Sequence, residues 1–177
     1  DKYNWQDSYT SFDKIREYVN KVKYRTNTDK KLVFSYNKTD VQPSEGQNAV
    51  KVNIRYSHAY TCGFEYDSLS GTYKRFRKGK PQMERVTGEQ LTAKNIIIQY
   101  VNNYTIKGDT EGRQELDTVG SGKGWFITKG KAVPIKWSKK ARETATLYTD
   151  EKGNAITLNP GQTWIQIVPL SGKVEME

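Results

Sequence analysis

The chain has 177 residues, 34% of them hydrophobic and 12% aromatic, and a formal net charge of +9. That length fits one domain, with or without an extra segment, and buries a core without covalent staples; a single cysteine, Cys62, and a single histidine, His58, exclude an internal disulfide and a zinc set. No apolar run approaches the roughly 20 residues that span a bilayer and no secretory h-region is present, so the chain is expected to be soluble as given, with any anchor upstream of Asp1.

In chain order, Phe12, Ile15, Val19 and Val22 recur at helical spacing and predict a helix over 12–23. Ser11 is its N-cap, Asp13 sits at its positive start, and Lys21 and Lys23 lie near its end. Residues 25–31 and 38–48 read as polar connections. Val50, Val52, Ile54 and Tyr56 alternate with Lys51, Asn53 and Arg55, the pattern of a half-buried strand. Residues 64–67 and 72–76 flank Ser68-Leu69-Ser70-Gly71 and predict a hairpin, followed by a turn at Lys78-Gly79. Residues 95–101 read as a strand buried on both faces, and 113–118 as another strand. Trp125–Thr128 and Lys131–Val133 flank a tight turn at Lys129-Gly130. Pro134 then marks an edge or a bulge. A further hairpin runs over 146–158, and Asn159-Pro160-Gly161-Gln162 fits a type II turn that launches Trp164–Val168. The fold class is mostly β, an antiparallel sandwich or barrel with one short N-terminal helix, and a parallel sheet is not expected because no helical crossovers are visible.

Charge and motifs narrow the chemistry. A basic balance favours anionic partners, although it also serves a merely solvated surface. His58 and Cys62, on one extended strand, stand about 13 Å apart, too far for a nucleophile and its base. Gly120-Ser121-Gly122-Lys123-Gly124 lacks the Ser or Thr and the following helix of a phosphate-binding loop. It reads as a tight passage into the Trp125 hairpin, with a nest of amides near Lys123 as the alternative. Glu65 with Asp67, and Glu115 with Asp117, each share a strand face and are paired-carboxylate candidates for glycoside hydrolysis; both also read as the solvated face of a strand. On the 62–77 hairpin, Phe64, Tyr66, Tyr73, Arg75 and Arg77 project from one face. Either they form a stacking, cation–π surface, or Phe and Tyr line the core with arginines reaching to its rim.

Phe64-Glu65-Tyr66-Asp67, Ser70-Gly71-Thr72-Tyr73-Lys74-Arg75, Gly79-Lys80-Pro81, Thr87-Gly88-Glu89-Gln90-Leu91-Thr92-Ala93-Lys94-Asn95, the 120–124 run and Asn159-Pro160-Gly161-Gln162-Thr163-Trp164-Ile165 resemble the C-terminal domain of the YerB-type bacterial lipoproteins. The likeness runs from about Tyr9 to Pro169. Met83-Glu84-Arg85 departs from it where an Asp is expected, and Lys129-Gly130 stands for an Asn-Gly turn. The resemblance implies a domain of unknown activity on the outer side of the cytoplasmic membrane of Gram-positive bacteria. It also implies a signal peptide, a lipidated Cys and a separate N-terminal domain upstream, and it brings no catalytic residues and no cofactor.

These readings divide the chain into a helix and linker over 1–31 and a mostly-β domain over 32–177. The expected function is non-catalytic binding or scaffolding of an anionic envelope polymer, a lipid surface or an envelope protein, with no metal. Tyr66, Tyr73, Arg75 and Arg77 are the expected surface contacts, with Lys123 as a secondary anion contact. Wall-carbohydrate hydrolysis and nucleic-acid binding are the alternatives; no nucleic-acid-binding motif supports the latter.

Overall fold

The computed structural model describes residues 9–30 and 32–177; Lys31, at the end of the first polar connection, lies outside them. The chain divides into a unit of Asp1–Leu32 and a unit of Val33–Glu177. In the first, Phe12–Val22 forms helix α1. The Ser11 hydroxyl accepts from Lys14 N–H, and Lys23 ends the helix in the left-handed conformation at φ 54°.

In the second unit, the opening strands are β1 (Ser35–Tyr36), β2 (Gln47–Asn48), β3 (Lys51–Arg55), β4 (Thr61–Asp67), β5 (Thr72–Arg77), β6 (Lys80–Pro81) and β7 (Thr92–Ala93). Then come β8 (Asn95–Val101), β9 (Asn103–Thr105), β10 (Gln114–Leu116), β11 (Gly120–Thr128) and β12 (Lys131–Lys139). The closing strands are β13 (Leu147–Thr149), β14 (Thr157–Leu158), β15 (Thr163–Pro169) and β16 (Lys173–Met176). One six-stranded sheet runs β16-β3-β4-β5-β6, with β7 also on β5. The other runs β13-β12-β11-β8-β15, with β2 also on β12.

Period-two alternation explains how the sheets meet. Val52 and Ile54 point inward from β3 while Lys51, Asn53 and Arg55 face water. They join Cys62, Phe64 and Tyr73 of the same sheet, and Ile96, Ile98, Ile127 and Val168 of the other, in one core between two packed sheets. A second core lies on the far face of the sheet built on β8, β11 and β12, where Ile97, Val101, Phe126, Ile135 and Trp137 pack under Tyr148, Ile156 and Leu158. β8 is therefore buried on both faces, as its Ile96-Ile97-Ile98 run requires.

Two features depart from expectation. β8 and β15 pair in parallel, from Thr163–Asn95 to Pro169–Val101, and β1 pairs in parallel with β14. The crossover between β8 and β15 is built from β11, β12 and β13 with their turns, so a helix is not needed to return the chain in the same direction. β14 leaves its expected partner β13 for β1, and the 146–158 hairpin is held by a Thr149–Ala155 bridge, an Ile156 N–H bond to the Tyr148 carbonyl (3.1 Å) and the bonds between Asp150 and Asn154 at its turn. Pro134 lies inside β12, but on the stretch between the pairings to β2 (131–132) and to β13 (136–138), where its missing N–H costs no ladder bond.

Candidate functional site

The register of the β4–β5 hairpin places Cys62 opposite Arg77, Phe64 opposite Arg75 and Tyr66 opposite Tyr73. The five aromatic and arginine side chains do share one face, which is core at Phe64, Tyr73 and Arg75 and reaches solvent at Arg77. Tyr73 is fully buried; its hydroxyl donates to the Ala49 carbonyl at 3.0 Å and accepts from Gly130 N–H at 2.9 Å. Arg75 is only 4% exposed, its guanidinium 4.1 Å from the Trp164 ring centre and 5.6 Å from that of Phe64. Neither is the surface contact the sequence predicted: an inward-facing register on the middle of a sandwich removes both from solvent. Tyr66 is half-buried, its ring centre 5.1 Å from that of Tyr73. Arg77 is exposed and lies 5.4 Å from the Tyr60 ring, at the other end of the hairpin from Tyr66. Lys123 is exposed on the opposite sheet. The five residues do not converge.

The remaining motifs resolve as follows. A bend over 56–59 separates His58 from β4, so the extended spacing does not apply. Even so, Cys62 turns inward toward Gln166 Oε1 at 3.7 Å, and burial raises its thiol pKa, while His58 is exposed. Glu65 pairs with Lys51 at 3.2 Å, and Asp67 with Lys74 at 2.9 Å. The Lys74 hydrogen bond and the Leu69 amide hold the Asp67 carboxyl below its usual range. Glu84, in the stretch that departs from the resemblance, accepts the Val86 and Thr87 amides at 2.9 and 2.6 Å and closes its own turn. Gly120–Gly124 is extended strand, not a curved nest, so its amides alternate in direction instead of converging on one anion.

That glycine strand nonetheless builds an open concavity. β8 and β11 pair from Asn95–Thr128 to Gln99–Gly124 and no further, although β8 continues to Val101 and β11 starts at Gly120. The β9–β10 hairpin connects the parted ends. Asp117 N–H donates to the Asn102 carbonyl at 3.0 Å and Asn102 Nδ2 to Asp117 Oδ2 at 2.9 Å, clamping its base. On one face the gap is bridged by Trp137, whose Nε1–H donates to the Tyr100 carbonyl at 2.9 Å. Gly122 lies against that indole, and a Cβ there would stand 2.6 Å from Nε1; a Cβ on Gly124 would strike the Ile98 carbonyl.

On the other face Ser121, Lys123 and Trp125 alternate with the glycines. They sit beside Tyr100 of β8 and Pro134 and Lys136 of β12, in an open cleft of about 930 Å³. Asn102, Asp117 and Glu151 complete its rim. Burial pushes the Tyr100 hydroxyl pKa up, with the Trp125 side chain opposing. The cleft thus combines an aromatic wall with two cations, Lys123 and Lys136, and two anions, Asp117 and Glu151. A smaller hollow of about 370 Å³ lies on the solvent face of the other sheet over Gly63, flanked by the Lys51–Glu65 and Lys173–Glu175 pairs.

Of the cleft residues, the sequence singled out Lys123 and Asp117 but not Trp125, Tyr100 or Trp137. Glycine at 120, 122 and 124 within a strand pattern was the available signal: it strips one face of the strand and marks the close approach of another group, here Trp137.

The chain is 25% identical over 164 residues to the protein named "Putative lipoprotein YerB" of Bacillus subtilis (strain 168), spanning 92% of this chain and 48% of that one. The crystal structure of YerB from Bacillus subtilis matches with a TM-score of 0.75 at 22% identity, over 94% of this chain and 54% of that one. The chain spans about half the length of this relative, and the structural match bears out the mostly-β fold. Residues 50–165, well over half of the chain, match the family described as "Protein of unknown function (DUF3048) C-terminal domain". The chain therefore belongs to that family, as the motifs running from Phe64 to Ile165 indicated.

Proposed function

We propose that this domain is a non-catalytic, extracytoplasmic binding module that holds a cell-envelope component in the cleft where β8 and β11 part. One observation carries the reading: the parted strands leave an open, preformed cleft walled by Trp125 and Tyr100 and ringed by polar side chains. The compartment rests on the relative named as a lipoprotein. No helix of the described residues is long and apolar enough to cross a membrane.

One feature speaks against the Glu65–Asp67 pair as an acid and base. A general acid needs a carboxyl held protonated near neutral pH, whereas hydrogen bonds hold Asp67 below the usual range. A second reading has one observation behind it, since Asp117 and Glu151 line the same aromatic cleft, as a glycoside hydrolase would arrange a pair of carboxylates.

The folded domain is expected to co-sediment with purified cell-wall preparations, to lose that property on Trp125→Ala, and to release no new reducing ends from the wall. Reducing-end release that disappears in Asp117→Asn would replace the binding reading with hydrolysis. Binding lost in Arg77→Ala but kept in Trp125→Ala would move the site to the hairpin.

A further inference from the structure

We infer that the cleft takes an uncharged, hydroxyl-rich sugar chain, and not the anionic polymer that the protein's net charge favours; this rests on the binding reading above. The charge is decisive. The protein carries +9, yet the cleft's charged walls sum to zero: Lys123 and Lys136 against Asp117 and Glu151. A polyanion entering it would meet two carboxylates and gain no net attraction. The basic excess lies elsewhere, as in the exposed Lys74, Arg77, Lys78 and Lys80 around the β5–β6 turn.

The shape and chemistry agree with the charge. A pyranose ring has an apolar face of C–H groups and a rim of hydroxyls. The electron-rich face of Trp125, with Tyr100 beside it, suits the C–H face. The rim meets both donors and acceptors: Lys123 and Lys136 donate, Asp117 and Glu151 accept, and Ser121 and Asn102 do both.

Gly120, Gly122 and Gly124 turn their bare side toward Trp137 and the Ile98 carbonyl, so the other face of β11 presents Ser121, Lys123 and Trp125 in a row within a strand stretch of roughly 13 Å, along which an elongated ligand can lie. Trp137 is 3% exposed and tied to the Tyr100 carbonyl, so the floor is rigid before the ligand arrives. The cleft volume of about 930 Å³ falls at the upper end of small-molecule sites, roughly 300–1,000 Å³.

The test titrates the folded domain with a β-1,4-linked N-acetylglucosamine oligosaccharide and, separately, with a polyol-phosphate polymer, in low and high salt, following tryptophan fluorescence and backbone amide shifts. The oligosaccharide is expected to bind with an affinity that changes less than about twofold with salt. Trp125→Ala lowers that affinity by about tenfold or more, and Trp125→Tyr restores most of it. Ser121→Trp fills the cleft from an exposed position, and is expected to abolish binding without shifting the melting temperature.

Tighter binding of the polyol phosphate, weakening steeply with salt, overturns the sugar assignment. If neither soluble probe binds but wall preparations do, and Ser121→Trp removes that binding, the sugar class falls and the cleft remains. If nothing binds, both readings fall.

Discussion

Tyr73 shows how one hydroxyl can lock two chain segments together. Ala49 N–H donates to the Gly130 carbonyl at 2.8 Å, and the Tyr73 hydroxyl closes the same junction from inside the core by bonding Ala49 O and Gly130 N. Tyr73→Phe keeps the ring and leaves that buried carbonyl and amide without partners. It is expected to lower unfolding free energy by about 1–3 kcal/mol, read as a lower urea midpoint with an unchanged slope. Arg75 is the opposite case. Its Nε and Nη1 have no hydrogen-bond partner and are enclosed by aromatic rings. The guanidinium therefore contributes as a flat plate stacked on Trp164, which is why a residue that reads as a surface contact is core.

Turn chemistry accounts for the elements that were legible in advance. Lys129-Gly130 connects β11 to β12 with both residues in the left-handed region, at φ 49° and 74°. This is the geometry of a tight hairpin turn that favours Asn-Gly. Lys tolerates that conformation less well than Asn. Lys129→Asn is therefore expected to stabilise the domain by about 0.5–1 kcal/mol, measured by thermal or urea unfolding. The Gly120–Gly124 segment was harder to read. Glycine breaks strands intrinsically, and only pairing along the whole of β12 keeps these residues extended. The glycines are there because Trp137 and the Ile98 carbonyl occupy the space that side chains would need, and both lie on strands distant in sequence.

The two-sheet assembly sets the response of the protein to alkali. Burial raises the Tyr73 hydroxyl pKa and pushes that of Tyr148, which donates to Gln99 Oε1 at 2.7 Å, up to about 12. In the unfolded chain both ionise near pH 10. Below that pH the folded and unfolded states hold the same protons, and the stabilisation is complete. Above it the unfolded chain releases protons that the folded state keeps, so stability falls as pH rises from about 10 toward 12, by up to about 1.4 kcal/mol per pH unit for each tyrosine. Urea titrations are expected to give a flat stability from pH 7 to 9 and a steep loss above 10. Tyr148→Phe should make that loss shallower.

The amino-acid order alone determined the helix with its Ser11 cap, most of the long strands, the turns at Lys78-Gly79 and Lys129-Gly130, and membership of a family of unknown function, whereas Asn159–Gln162 is a bend with Gly161 at φ 137° instead of the expected type II turn. Those features depend on neighbours within a few residues: side-chain alternation, cap geometry and the backbone freedom of glycine. The parallel pairing of β8 with β15, the burial of Tyr73 and Arg75, and the cleft at Tyr100, Trp125 and Trp137 were set by contacts between distant segments. Alternation says that Phe64, Tyr73 and Arg75 share a face; it does not say whether that face meets water or another sheet. Packing of β5 over β15 settled that, and the same packing left the electroneutral cleft as the candidate site on a basic protein.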